Sequence, residues 1–280
     1  MDPEKEMDKK APGGVYLCQV NEKISCGACC GLYNVPDLSR EKLYDMLLRR
    51  TADFSKVPRE ADAITNFGEE VLYRNKKKRP YHEFYHCPYT GLIGKRKTRV
   101  GCLLHPLADG NNGIDYSGLS YYGSMTCHIY FCQSYTMLPE NYKRIIREAA
   151  DDWYSYGLII TEIVLINALF SEIDNCLESK IDETDSHMNQ ALIGIIKEFI
   201  GFKTFWPFRP SSVTAANYFF KDKLYEKKPV DYSGINPDRP VSRYDLIFRE
   251  LGSSFNSVEE IRYAENMIDA LLKRARSLKI

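Results

Sequence analysis

Thiols are the most chemically distinctive side chains in this chain, and they are unevenly placed. Of nine cysteines, eight (Cys18, Cys26, Cys29, Cys30, Cys87, Cys102, Cys127 and Cys132) lie in the first 132 residues, and only Cys176 follows. An odd total fits a disulfide framework poorly, and a chain of 280 residues is long enough to fold without such staples. Clustered thiols in a reducing compartment point instead to metal ligation. Four thiolates suit zinc or an iron–sulfur cluster, because both favour soft sulfur donors.

The spacing refines that reading. In Cys26-Gly27-Ala28-Cys29-Cys30, two residues separate Cys26 from Cys29, so both sulfurs can turn toward one metal while the intervening amides reach the sulfurs. Gly27 permits the tight turn. Cys29 and Cys30 are adjacent, and neighbouring side chains diverge, so one of the two is expected to serve a second site or to act as an outer thiol. Eight cysteines make either two four-sulfur sites or one site with extra thiols nearby, and the spacing leaves that partition open. His86, His105 and His128 stand close to Cys87, Cys102 and Cys127 in sequence, either as ligands or as hydrogen-bond donors to sulfur. Cys176 reads as a small buried hydrophobe.

Other chemistries lack their signatures. The chain has no CxxxCxxC loop, no phosphate-binding glycine motif and no HExxH. Lys plus Arg and Asp plus Glu both number 38, so no global field recruits nucleic acid or an anionic membrane. Local charge is less even, with basic residues at 74–79 and 95–99. No RNA-binding signature accompanies them, and a solvated hairpin is the simpler reading. The opening MDPEKEMDKKAPGG is charged and has no apolar stretch, so a flexible tail over 1–14 and a cytoplasmic location are expected. Residues 153–170 are apolar, but Glu162 and Asn167 interrupt them, which favours a core helix over a membrane span.

The elements that must position the cysteines are harder to read than the cysteines. Ser39 caps a helix through Arg49 with Leu43, Met46 and Leu47 inward. From Phe67 to Tyr135 periodicity is poor and glycine frequent, which predicts short strands and loops organised around metal. The second half is helical by pattern. It shows a run over 139–178 that breaks near Gly157, a helix from His187 to Phe202 stopped by Trp206-Pro207, and another from Ser212 to Glu226. A loop over 227–241 and a capped helix from Ser257 to Lys279 follow. The fold class expected is α+β and mostly helical, with an irregular cysteine-rich domain over 15–138 packed on a helical domain over 139–280.

The segments CGACC at 26–30, CPYTGLIG from Cys87, GCLLHP at 101–106 and the Cys127–Cys132 pair resemble the CxxCxxCC, or YkgJ-like, family of zinc- or iron-chelating domains. Flagellin lysine N-methylases share that cysteine motif and are understood to carry an iron–sulfur cluster. The likeness covers roughly residues 15–135. It implies ligand roles for Cys26, Cys29, Cys30, Cys87, Cys102, Cys127 and Cys132. The family's opening cysteine would fall at Lys23, and Cys18 is its replacement through a longer loop. The resulting expectation is a metal-binding protein holding an iron–sulfur cluster, of the 4Fe–4S type, with redox or methyl-transfer activity. The helical half would then shape a surface for a substrate or protein partner. The alternatives are a zinc-binding structural or interaction protein and a metal carrier.

Overall fold

Apolar residues at helical spacing build most of the elements. In a computed structural model, which describes residues 3–75, 84–177, 186–213, 215, 227–233, 235 and 241–278, the chain is mostly helical with one two-stranded sheet. It divides into two compact units: residues 1–135 with 151–157, and residues 136–150 with 158–280. All eight clustered cysteines belong to the first unit.

The first unit opens with helix α1 (Pro3–Lys10), where the sequence suggested a flexible tail. Asp8 explains the order: its buried carboxylate accepts the Tyr16 amide at 2.7 Å and its carbonyl accepts the Ala11 amide. Helix α2 (Arg40–Phe54) starts after Ser39, buries Leu43 and Leu47 as expected, and runs on past Arg49 to bury Arg50 and Phe54. Ser39 makes no side-chain cap. Helix α3 (Ala61–Asn75) lies partly in the stretch expected to be irregular, yet Ile64, Phe67, Gly68 and Val71 recur at helical spacing and are buried.

Strands β1 (Thr90–Ile93) and β2 (Arg99–Cys102) pair antiparallel, with Thr90 opposite Cys102 and Ile93 opposite Arg99. Thr51 of α2 clamps the sheet: its hydroxyl accepts the Leu92 amide at 2.8 Å and lies 3.0 Å from the Leu92 carbonyl. Phe54, Ile64, Phe67, Val71, Tyr89, Leu103 and Leu104 form the core behind the sheet, together with Cys87. Each large apolar side chain there contributes about 1.5–3 kcal/mol by burial. Helix α4 (Gly123–Ile129) carries Cys127, and the short α5 (Ser134–Met137) follows Cys132.

The second half breaks twice where one break was expected. Helices α6 (Glu140–Ala149), α7 (Trp153–Ile159) and α8 (Ile163–Leu177) are separate, and Gly157 lies inside α7. The close approach of Tyr33, whose hydroxyl would lie 1.8 Å from a Cβ at that position, accounts for that glycine. Among the described residues no single helix is long and apolar enough to cross a membrane; α7 and α8 pass that test only together and are bent by 88°.

Helices α9 (Ser186–Thr204), α10 (Asp245–Leu251) and α11 (Val258–Arg276) complete the second unit. Ser257 caps α11 by accepting the Glu260 amide at 3.2 Å, and Glu260 reaches back to the Asn256 amide at 2.7 Å. The helix expected from Ser212 to Glu226 falls almost wholly outside the described residues, as do most of the loop expected over 227–241 and the basic side chains at 76–79.

Candidate metal centre

Two short backbone devices bring the first four sulfurs together. Residues 18–26 fold back on themselves: the Cys26 amide donates to the Cys18 carbonyl at 2.8 Å, and Gln19 bridges Ser25. The chain then turns through a 3-10 segment, Ala28–Cys30, which ends at Gly31 with φ 69°. The Ala28 amide points back at the Cys26 sulfur at 3.5 Å. Tyr135, fully buried, accepts the Leu17 amide at 2.8 Å and therefore aims its own proton at the Cys18 sulfur, 3.2 Å away. Cys18 thus stands beside Cys26.

Electrostatics gives the membership of this set. Burial pushes the Cys18 thiol up to about 11; the Tyr135 hydroxyl opposes that rise, and the Cys132 and Cys30 sulfurs add to it. Cys26 is driven well up by burial, with the Cys132, Cys18 and Cys30 sulfurs reinforcing and the Ala28 amide opposing. Cys29 and Cys132 share a hydrogen bond. It raises Cys29, with burial and the Cys132, Cys26 and Cys18 sulfurs adding, and it brings Cys132 down to about 6. Cys132 is the thiolate of the pair because the Ser134 and Tyr135 amides also favour its charged form. Cys29 has solvent-exposed surface, yet enough protein surrounds its sulfur for burial to be the second cause of its shift. Cys18, Cys26, Cys29 and Cys132 therefore lie near one another, and Cys30 borders this group through Cys18 and Cys26.

The other four sulfurs gather around the sheet. The Cys87 amide donates to the Cys30 carbonyl at 2.9 Å, and the β1–β2 register sets Cys102 opposite Thr90, three residues beyond Cys87. Burial pushes Cys102 up to about 12, with the sulfurs of Cys30 and Cys127 contributing. Burial likewise raises Cys87, whose sulfur neighbours are Cys30 and Cys102. Cys30 is raised by burial and then by Cys127. Cys30, Cys87, Cys102 and Cys127 form the second set, and the two sets adjoin at the Cys29–Cys30 peptide.

Each set has a buried hydroxyl that finds no partner of its own. Ser134 faces Cys132, and Thr90 faces Cys30 and Cys87; both lower those thiols, yet neither Oγ closes a hydrogen bond of ordinary geometry. A buried hydroxyl left unsatisfied is costly, and a sulfur carrying full negative charge is the acceptor these two face.

The histidines are occupied otherwise. Arg50 cannot accept, so the 2.9 Å contact of its Nη2 with His86 Nε2 makes that nitrogen the acceptor and puts the neutral ring's proton on Nδ1. His105 accepts the Leu107 amide at Nδ1 over 3.1 Å, and His128 Nε2 lies 3.5 Å from Asp115. Cys176 lies on α8 in the second unit and is half-buried, not a core residue. Ser134, Thr90, Tyr135 and Arg50 carry no motif, and their sequence neighbourhoods do not mark them.

The donor set fits a sulfur-bound metal: eight thiols in two fours, amide and hydroxyl donors aimed at them, and histidines turned to other partners. Among the described residues, no three His, Cys, Asp or Glu side chains converge tightly enough to hold a metal ion. The sulfurs are assembled as neighbours and do not form a closed coordination sphere. The chain matches no protein-family model, no curated protein and no solved structure.

Proposed function

We propose that the first unit is a metal-binding module with two centres, one on Cys18, Cys26, Cys29 and Cys132 and the other on Cys30, Cys87, Cys102 and Cys127. Iron–sulfur clusters of the 4Fe–4S type are the centres this reading favours. The observation that carries it is the gathering of eight sulfurs on either side of the Cys29–Cys30 peptide, with Cys30 bordering both groups and a buried hydroxyl, Ser134 or Thr90, facing each. All-sulfur donors and hydrogen bonds to sulfur are what such clusters use to set their potentials.

A bound cluster supplies one-electron chemistry. The chain's own residues hold the sulfurs and neutralise part of their charge through Ala28, Tyr135 and backbone amides, and the α2–α3 core packs against Cys30, Cys87 and Cys102. The function that follows is redox, with methyl transfer as the enzymatic form suggested by the motif resemblance.

Anaerobic isolation, followed by an absorption spectrum with iron, zinc and sulfide analysis on one sample, tests this. A brown protein with a broad visible band, iron and acid-labile sulfide is the expected result. Colourless protein with stoichiometric zinc would overturn the cluster and leave a zinc protein. Protein free of both metals would overturn metal binding altogether.

A further inference from the structure

The two cysteine sets differ in one respect that their hydrogen bonds do not explain. Arg50 is only 5% exposed, and its guanidinium reaches the Cys87 carbonyl at 3.4 Å, the Thr90 carbonyl at 3.5 Å and His86 at 2.9 Å. All three acceptors are neutral. Among the described residues no carboxylate reaches it, although a desolvated cation without a counter-charge is strongly unfavourable. A guanidinium keeps its charge at neutral pH, and these contacts hold it against the Cys87–Thr90 turn.

We infer that Arg50 is the counter-ion of the second cysteine set alone, so that the two sets hold their metal unequally. This rests on the two-centre reading above. Four thiolates around a divalent ion or a four-iron cluster leave net negative charge, and Arg50 lies against the turn that carries Cys87. The groups acting most strongly on the first set are uncharged or are other sulfurs: the Tyr135 hydroxyl, the Ala28 amide, and Ser134. Amide donors serve both sets, from Ala28, Ser134 and Tyr135 on one side and from Tyr89, Leu104 and His105 on the other. None of the groups named above sets a full positive charge against the first set, and among the described residues Arg50 sets one against the second. It favours retention of an anionic centre there and, for a redox-active cluster, raises that centre's potential relative to its neighbour.

The test uses the full chain isolated anaerobically, with metal and sulfide measured before and after dialysis against EDTA. Wild type, Arg50→Gln and Arg50→Lys are compared, and Cys87→Ser and Cys132→Ser mark which centre is lost. Arg50→Gln is expected to lose the centre that Cys87→Ser loses and to keep the one that Cys132→Ser loses, while Arg50→Lys keeps both. Redox titration of the loaded protein should show one of two potentials falling in Arg50→Gln and recovering in Arg50→Lys. If Arg50→Gln fails to fold, Arg50→Lys alone decides: resistance to EDTA equal to wild type supports the counter-ion. Loss of metal from Arg50→Lys would make the guanidinium fork, not its charge, the requirement and would overturn the inference, as would unchanged metal and potentials in Arg50→Gln. Wild-type protein without metal would overturn the two-centre reading itself.

Discussion

Cys29 and Cys30 are joined by a single peptide, and on the proposed two-centre reading they serve different sets, with Cys30 also bordering Cys18 and Cys26. The adjacency was legible in the sequence as a divergence; which six cysteines stood on either side of it was not, because that depends on the Cys18–Cys26 loop and on the β1–β2 register. The hydroxyls that serve the sulfurs were not legible either, since an isolated Tyr, Thr or Ser has no spacing to betray it. Their roles can be tested one by one. Tyr135→Phe removes the donor to Cys18 and strands the Leu17 amide, and it should cost about 1–3 kcal/mol in denaturant unfolding while weakening metal retention at the first set only. Thr90→Val should act with opposite signs in two states. Metal-free protein gains about 1 kcal/mol once the unsatisfied hydroxyl is gone, whereas loaded protein releases metal from the second set more readily. Equal behaviour of the two states in thermal unfolding would remove Thr90 from the site.

At the scale of elements, the turn after Cys30 is tightly constrained. Gly31 has a left-handed φ of 69°, and a Cβ there would meet the Tyr85 carbonyl at 2.1 Å. Gly31→Ala should therefore destabilise the first unit by more than about 2 kcal/mol and displace Cys30 from Cys87, read as lost metal at the second set. Wild-type stability and metal content in this variant would show that the turn does not position the sulfurs. Elements with a strong local signature were readable: the Ser257 cap and stripe of α11 and the apolar face of α9 lie where the pattern puts them. Helix α3 was obscured because its buried face ends in Gly68, Val71 and a basic tail that reads as loop. The breaks around α7 are marked by local turns, Asp152 accepting the Ser155 amide before it and the Ile159 carbonyl accepting the Glu162 amide after it, which no apolar period encodes.

On the scale of the whole molecule, the cysteine-poor unit is held by ordinary apolar packing around one buried ionic network. Glu162, fully buried, pairs with Lys203 and with Lys227, and Lys227 also reaches Glu250 at 3.3 Å. Burial draws Lys203 down to about 7, against the opposing pull of Glu162. Removing the shared carboxylate strands Lys203 and leaves Lys227 only Glu250, so Glu162→Leu should cost about 3–5 kcal/mol, and more than Lys203→Met, which leaves Glu162 paired with Lys227. The reverse order in chemical denaturation would mean the network is not centred on Glu162. None of this network involves a cysteine, and all eight clustered cysteines of the proposed centres lie in the first unit. The most direct measurement of the central claim is metal and sulfide content, under anaerobic isolation, of wild type, Cys132→Ser, Cys87→Ser and the double variant. The account predicts two centres in wild type, one in each single variant with distinguishable spectra, and none in the double variant. Loss of all metal in either single variant, or the same residual centre in both, would contradict two separate four-sulfur sets.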